Sequence, residues 1–347
     1  MSRELRQGVF AIAVVIGSGL GARPVLAGGA CSSTALTQWD ACGHEVSDDF
    51  FTANAVCLNT VDRELRMDCF REARVGQREG TQLCRAQLRA RRDLCRALGE
   101  DRYDPDFDPA AFDGDFANLT NPNPYFPLGI GNRWEFAGAE VVKVEVLAKT
   151  KLILGVTCIV VNDRVEKGGK VVEDTDDWFG QRKSGAVDYC GENSRSYETF
   201  AGDLPQEPEL VEVAGSWKAG REGAQAGVAF LATPAVGTVY RQEFSPGNAE
   251  DIAVVLSTTY AFGSDATLDQ HVPQALAELL CAAHDCVVTG ESTPIDPAGF
   301  ERKYYARGVG LFLGIHPASG ELVQLVSCNV DTKCATLPPA VAAPMAP

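Results

Sequence analysis

The sequence has little histidine and lacks several familiar catalytic motifs. Only 4 of its 347 residues are histidines, and His44, His271, His284 and His316 form no HExxH motif or paired ligand spacing. Neither a GxSxG nucleophile motif nor a phosphate-binding glycine loop follows the N-terminal segment. These absences argue against common zinc proteases, serine hydrolases and nucleotide-dependent enzymes.

Positive charge and long apolar runs are also scarce. The chain has 31 Lys and Arg residues against 47 Asp and Glu residues, which gives a formal net charge of −16. This excess of negative charge disfavours nucleic acids and anionic membrane surfaces as partners. No segment after the N-terminal one is apolar for long enough to span a bilayer, so we expect no transmembrane segment.

The N-terminus has the pattern of an export signal. Arg3 and Arg6 precede an apolar stretch from Val9 to Val15, and a small-residue cleavage site ends at Ala27. All 12 cysteines follow this segment, and cysteines of exported chains usually form disulfides. We therefore predict a signal peptide over residues 1–27 and a secreted or periplasmic protein.

Residues 28–100 are predicted to form a disulfide-stapled helical module. Its cysteines are separated by 10, 14, 11, 14 and 10 residues, a series that reads the same in both directions. Apolar residues three or four apart predict one helix starting at Ser47-Asp48-Asp49 and a second one ending at Gly99, with the turn at Gly76. Folding the helices together about Gly76 predicts three bridges: Cys57–Cys95, Cys69–Cys84 and, between the remaining cysteines, Cys31–Cys42.

The cysteines and arginines of this module allow two other interpretations. A zinc site is disfavoured because the module has no CxxC pair. The second helix carries Arg85, Arg89, Arg91, Arg92 and Arg96, which we interpret as a solvated face. The alternative is a docking surface for an anionic partner, such as the chain's own acidic segments.

Residues 101–122 are predicted to be an extended acidic linker. Four of its aspartates match positions 1, 3, 5 and 12 of an EF-hand loop, whose oxygen ligands suit calcium. Pro109, however, stands where that loop needs glycine, so we favour no cofactor and keep calcium binding as the alternative. The candidate calcium ligands are Asp104, Asp106, Asp108 and Asp115.

From residue 123 the sequence changes to short strands joined by turns. Alternation in "VKVEVL" and the Gly168-Gly169 turn predict an antiparallel meander over residues 134–198. The fold class is therefore mainly β, an antiparallel barrel, half-barrel or sandwich over residues 123–335. A Pro/Ala tail, residues 336–347, is predicted to be disordered. The predicted bridges here are Cys158–Cys190, Cys281–Cys286 and Cys328–Cys334.

The segment "VVEDTDDWF", residues 171–179, places four acids inside a predicted strand. Because side chains of a strand alternate, Glu173 and Asp177 share one face with Val171 and Phe179, while Asp174 and Asp176 share the other. A site would need acids from neighbouring strands to converge on one of these faces. The candidate acidic or ligand-binding residues are Glu173, Asp174, Asp177, Trp178, Glu192, Glu243, Glu250 and Asp251.

Seven short motifs resemble a group of uncharacterised secreted bacterial β-rich proteins. They are "NPYFPLGIGNRWEF", "EDTDDW", "YCGE", "GSWKAG", "YRQEF", "AED" and "KYYARGVG", and the resemblance covers residues 121–326. It implies no established activity. Arg302 precedes the last motif where members often carry histidine, which weakens a metal or catalytic role there. More loosely, "YFPLGIGNRWEF" followed by a meander resembles the curved-sheet lipoprotein carriers of the bacterial envelope.

Together these features predict an exported, non-catalytic binding or structural protein. Its β domain would hold an extracellular ligand, either apolar or a saccharide. The alternative is a carboxylate- or metal-dependent enzyme acting on an extracellular polymer, with Glu173, Asp174, Asp177 and Glu192 at its centre. A third interpretation is a cell-surface interaction protein without a small ligand.

Overall fold

Two long antiparallel helices come first in the computed structural model, which describes residues 29–341. They are α1 (Ala30–Asn59) and α2 (Arg63–Leu98). The Asp62 carboxylate starts α2 by accepting hydrogen bonds from the backbone N–H groups of Glu64 and Leu65, at 2.8 and 2.9 Å. Gly99 ends it with a φ of 91°, which favours glycine.

Three disulfides join these helices into what we call the helical hairpin. The predicted bridges Cys31–Cys42, Cys57–Cys95 and Cys69–Cys84 are wrong. The bridges observed are Cys31–Cys95, Cys42–Cys84 and Cys57–Cys69.

The error lies in the position of the turn. The chain reverses at Thr60–Asp62 rather than at Gly76, and α1 continues through Ser47, where a helix start was predicted. All three bridged pairs share a midpoint at Arg63. The symmetric cysteine spacing is therefore the register of an antiparallel hairpin that turns at its centre.

After the hairpin, fifteen strands form one antiparallel sheet, so the mainly β prediction is confirmed. Its order is β10-β11-β12-β13-β14-β15-β1-β2-β3-β4-β5-β8, with β6, β7 and β9 paired beside this path. The strands are β1 (Arg133–Ala137), β2 (Val141–Ile153), β3 (Val156–Lys167), β4 (Lys170–Gln181), β5 (Val187–Asn193), β6 (Ser196–Glu198), β7 (Glu209–Glu212), β8 (Trp217–Lys218), β9 (Gly227–Phe230), β10 (Val239–Arg241), β11 (Ile252–Tyr260), β12 (Cys286–Ser292), β13 (Phe300–Ala306), β14 (Gly310–His316) and β15 (Glu321–Cys328).

The sheet curls but does not close into a barrel. Phe230 of β9 contacts Tyr305 of β13 at 4.8 Å between ring centroids, although many strands separate them in the sheet. One isolated bridge, Gln225–Phe244, joins the two ends without a continuous ladder. We call this junction, residues 225–227 and 241–244, the seam. A short helix, α3 (Gln274–Leu280), buries Leu276 and Leu280 in the core inside the curve.

A second core covers the outer face of β3–β5. It contains Trp178, Trp217 and the Cys158–Cys190 bridge. Phe112 of the predicted acidic linker packs into it, with Phe107 against its ring at 5.1 Å. The predicted linker thus packs on the sheet through these rings, and it contains a 3-10 turn at Pro109–Ala111.

The remaining cysteines pair as predicted: Cys158–Cys190, Cys281–Cys286 and Cys328–Cys334 are confirmed. A 3-10 turn, Thr332–Thr336, leads into the tail. Residues 337–341 were predicted to be disordered, but the buried Gln324 side chain bonds Pro339 O at 3.2 Å and Val341 N at 3.1 Å. The predicted signal peptide and residues 342–347 lie outside the described residues.

The helical hairpin docks beside the seam. Arg91 donates to both oxygens of Glu250, at 2.8 and 2.9 Å, and both side chains are buried. Gln87 donates to Ile295 O at 2.9 Å. Just after the hairpin, the Tyr103 hydroxyl donates to Ala226 O at 2.8 Å on the other side of the seam. The alternative interpretation of the arginine-rich helix, docking on the chain's own acids, therefore applies to Arg91.

Candidate functional site

A cavity of about 410 Å³ lies inside the curved sheet. Two parts of the sheet face each other across it: β3–β5 on one side, and β12–β13 with the ends of β10 and β11 on the other. Strands β1 and β2 supply the wall between them. The volume is within the range typical of small-ligand sites.

The wall from β1 and β2 is apolar. It consists of side chains that alternate inward along the two strands, as the period-two pattern predicts. The loop before β1 adds further apolar groups. These residues are Tyr125, Phe126, Leu128, Trp134, Phe136, Val144 and Val146. The only indole N–H among them, that of Trp134, donates to Val309 O at 2.7 Å, so it is already satisfied.

Strands β3 and β4 bring the first carboxylates into the cavity. Asp177 of β4 lies opposite Val161 of β3, and both line the cavity together with Asp163. Asp174 and Asp176 face outward, where Arg195 approaches them at 3.1 and 3.7 Å. The acids of this strand are thus divided between its two faces, as the alternation predicts.

A β-bulge in β5 brings Tyr189 and Glu192 into the cavity together. Trp178 pairs with Gly191 and Phe179 pairs with Tyr189, so Cys190 is the extra residue. Cys190 points into the outer core. Gly191 is required at the bulge because its φ is 134° and a Cβ would lie 2.4 Å from Trp217 O.

The Tyr189 hydroxyl joins two carboxyl groups on neighbouring strands. It hydrogen-bonds to Asp177 Oδ1 and, at 3.0 Å, to Glu192 Oε2. Burial, followed by the charge of Glu192, raises the pKa of Asp177 to about 8. Burial also raises the pKa of Glu192 to about 7, against the lowering effect of its hydrogen bond from Tyr189. These two carboxyl groups therefore titrate near neutral pH rather than near pH 4.

Three more acids lie across the cavity. Glu243 accepts a hydrogen bond from Trp217 Nε1 at 3.2 Å, and burial together with Asp251 raises its pKa well above the usual value. Burial also raises the pKa of Asp251. Glu291 accepts hydrogen bonds from Thr289 at 2.9 Å and from Tyr305 at 3.3 Å.

Among the residues that the structure describes, Lys303 is the only basic side chain lining the cavity. Its ammonium lies 2.7 Å from Glu291 Oε2 and 3.7 Å from Glu301 Oε2. Burial alone would lower the pKa of Lys303, but these two carboxylates outweigh it and hold the pKa well above its usual value. Lys303 thus neutralises one part of the acidic lining.

Asp163 differs from the other acids of the cavity. Its Oδ1 is shielded from solvent and has no hydrogen-bond partner. Burial, followed by the charges of Asp177 and Glu173, raises the pKa of Asp163 to about 8. A buried acceptor without a donor is unusual in folded proteins, because leaving it unpaired costs about 1–3 kcal/mol.

Four of the predicted candidate residues line this cavity, and four do not. Those that line it are Asp177, Glu192, Glu243 and Asp251. Of the others, Glu173 lies on the inner face farther along β4 and accepts a hydrogen bond from Thr175 at 3.1 Å. Asp174 is paired with Arg195, Trp178 is buried in the outer core, and Glu250 is paired with Arg91.

Several lining residues were missed from the sequence. Asp163 was passed over within "VTCIVVNDRVE", although it shares the parity of Val161 on the same predicted strand. Lys303 is the first residue of "KYYARGVG" and directly follows Arg302, whose buried side chain donates to Thr267 O at 2.8 Å. Strand alternation was thus a usable signal for Asp163, whereas the convergence of distant strands was not visible.

Three of the four aspartates considered for calcium accept hydrogen bonds from the backbone. Asp108 Oδ1 accepts from Ala110 N and Asp115 Oδ1 from Ala117 N, both at 2.9 Å. Asp106 Oδ1 accepts from Asp108 N at 3.3 Å. Between residues 29 and 341, no three His, Cys, Asp or Glu side chains converge as metal ligands, and these residues include Asp104.

Comparison of the chain with protein-family models, with curated proteins and with solved structures finds no match. The resemblance carried by the seven motifs therefore stays a prediction. In the part of the chain that the structure describes, every helix is too short or too polar to cross a membrane.

Proposed function

We propose that this protein binds a small, mainly apolar ligand in the cavity of its curved sheet. The observation that carries the proposal is a 410 Å³ space with an apolar wall on β1–β2 and carboxyl groups on the strands beside it. A saccharide needs polar partners on several sides, whereas an apolar wall with polar groups grouped elsewhere suits an amphiphile. Of the two ligand classes predicted, the apolar one fits better.

Export remains part of this proposal. Six disulfides join all the cysteines of the chain, which suits an oxidising compartment outside the cytosol. A ligand carrier in such a compartment would use the bridges to keep a partly open sheet from unfolding. The ligand would then be one met outside the cytosol.

A neutral fluorescent probe tests the cavity. N-phenyl-1-naphthylamine brightens when it leaves water, so we expect saturable binding by the unaltered protein. Val161→Phe should weaken that binding at least tenfold because Val161 lines the cavity. Val160→Phe is the matched control, since the neighbouring side chain points into the outer core. Equal binding by both variants, or no binding by the unaltered protein, would contradict the proposal.

A second function is favoured by the pair Asp177 and Glu192. They face each other on adjacent strands, share the Tyr189 hydroxyl, and have pKa values near 8 and 7. Two carboxyl groups that titrate near neutral pH can serve as general acid and general base. The second candidate is therefore acid–base hydrolysis of a glycoside or ester bound in the cavity.

Chromogenic glycosides and esters, together with soluble polysaccharides, test this second function. If the protein is an enzyme of this kind, Asp177→Asn and Glu192→Gln should each lower turnover at least a hundredfold. Asp174→Asn, on the outer face of the same strand, is the control and should keep its turnover. Absence of turnover on all three substrate classes would leave ligand binding as the function supported.

A further inference from the structure

The carboxyl groups of the cavity outnumber its basic side chains. Six carboxyl groups line it, from Asp163, Asp177, Glu192, Glu243, Asp251 and Glu291. The single basic residue among the described lining residues, Lys303, is already engaged by Glu291 and Glu301. The other five acids form no ion pair with a described basic side chain inside the cavity, and burial raises their pKa values. A cation bound beside them would favour their ionised forms, so ionisation and the binding of a positive charge favour each other.

Asp163 provides the specific acceptor for that charge. No hydrogen bond or ion pair from the described residues engages its carboxyl group, and the residue lines the cavity. Oδ1 itself is shielded from solvent, so a ligand in the cavity would donate its hydrogen bond to the carboxyl group through Oδ2. If the donor is also cationic, the bond is charge-assisted and roughly twice as strong as a neutral one.

Aromatic rings near the acids suit an organic cation. Phe179 and Tyr189 stack at 4.8 Å between centroids, and Phe126 meets Phe179 edge-on at 5.0 Å. All three rings line the cavity together with Asp177. Aromatic faces attract ammonium groups, and this attraction grows when water is excluded.

We propose that the ligand of this cavity is an amphiphilic amine, whose protonated nitrogen binds at Asp163 while its apolar part lies against β1 and β2. This inference rests on the proposed ligand-binding function. It names the chemical class of the ligand and the residue that selects it.

An ammonium group fits this lining better than a metal ion. A hard cation such as calcium needs six or more oxygen ligands at 2.3–2.6 Å. Within the described residues no three acidic, histidine or cysteine side chains converge in that way. A primary ammonium has three N–H donors and needs only one to three acceptors, which Asp163 and its neighbours supply.

Three ligands with the same apolar chain test the proposal by isothermal titration calorimetry on the full-length protein. They are n-octylamine, n-octanol and octanoate, which differ only in the head group. We expect the amine to bind at least tenfold more tightly than the alcohol and the carboxylate to bind most weakly. This comparison needs no altered protein, so it does not depend on whether a variant folds.

Variants then assign the preference to Asp163. Asp163→Asn should bring the affinity for octylamine down to within about twofold of the same variant's affinity for octanol. Glu166→Gln is the matched control, since it removes the same charge from the same strand outside the cavity. It should keep the amine preference.

The outcomes separate this inference from the function on which it rests. Equal binding of amine and alcohol, or an amine preference that survives Asp163→Asn, would overturn the amine proposal while the apolar cavity stands. Calcium that binds, displaces octylamine and loses affinity in Asp163→Asn would also overturn it, in favour of a metal site. If none of the three ligands binds, the proposed function itself fails.

Discussion

At the scale of single residues, the stability of the fold depends on pH through three carboxyl groups of the cavity. They belong to Asp163, Asp177 and Glu192. Burial and neighbouring acids raise their pKa values to about 8, 8 and 7. Below about pH 3, under the ordinary pKa values of Asp and Glu, the folded and unfolded chains both hold these protons. As the pH rises, the unfolded chain releases them first, so the folded state loses stability up to about pH 8.

The first prediction concerns this pH dependence. Each pKa unit corresponds to about 1.4 kcal/mol, but water in the cavity screens the charges, so we expect the free energy of unfolding to fall by about 2 kcal/mol between pH 5 and 8.5. Asp163→Asn cannot ionise, so it should reduce the fall and exceed the unaltered protein in stability at pH 8.5. Urea unfolding at both pH values measures this. A free energy of unfolding that rises with pH, and does so equally in the unaltered protein and in Asp163→Asn, would contradict this prediction.

Gly191 is the second residue on which the site depends. Its φ of 134° and the 2.4 Å between a Cβ and Trp217 O leave no room for a side chain. We expect Gly191→Ala to cost about 3 kcal/mol and to abolish probe binding, because it displaces Tyr189 from the two carboxyl groups. Gly169→Ala is the control, since Gly169 has a φ of 78° with open space around it and should cost only about 1 kcal/mol. Similar losses in thermal unfolding for both variants would disprove the steric argument.

At the scale of elements, period-two alternation was enough to predict the strands but not their irregularities. The β3–β4 hairpin follows from "VTCIVVNDRVE", the Gly168-Gly169 turn and "VVEDTDDWF". Strict alternation, however, puts Tyr189 and Glu192 on opposite faces, since three positions separate them. The bulge at Cys190 places both side chains on the same face, and Gly191 is the only local feature of the sequence that indicates it.

For the helical hairpin, the sequence does contain a signal for the position of the turn, but the predicted turn at Gly76 was wrong. Helical periodicity continues through the actual turn, so it did not locate the chain reversal at Thr60–Asp62. The symmetric cysteine spacing did locate it, because equal spacings on both sides of Arg63 bring all three pairs into register at once. Contacts between distant strands, such as those that build the cavity, have no comparable signal in a single sequence.

The Cys57–Cys69 bridge lies next to the turn of the helical hairpin and closes the shortest of its three loops. We expect Cys57→Ser/Cys69→Ser to speed amide hydrogen exchange in residues 50–74, while the docked part of α2 near Arg91 keeps its protection. The double variant Cys328→Ser/Cys334→Ser, which removes another short bridge, is the control and should leave residues 50–74 unchanged. Faster exchange along the whole of both helices would show instead that the hairpin unfolds as one unit.

At the scale of the whole molecule, the helical hairpin and the segment after it reach both sides of the seam. Arg91 binds Glu250 on the β10–β11 side, while Tyr103 binds Ala226 beside β9. Tyr103 also packs against Phe244 at 4.9 Å, and Arg241 lies 5.0 Å from the Phe244 ring. Side chains from outside the sheet thus add to the contacts that its own residues make across the seam.

The buried pair Arg91–Glu250 should therefore stabilise the molecule only while both partners are present. Breaking a buried ion pair costs about 3–5 kcal/mol because one charge stays buried alone. We expect Arg91→Met and Glu250→Gln each to lower the free energy of unfolding by about 3 kcal/mol, and the double variant to lose far less than their sum. Arg96→Met is the control, since Arg96 pairs with Asp93 on the exposed face and should change stability by less than about 0.5 kcal/mol. Additive losses in urea unfolding, or single losses no larger than that of Arg96→Met, would mean that the hairpin does not hold the seam through this pair.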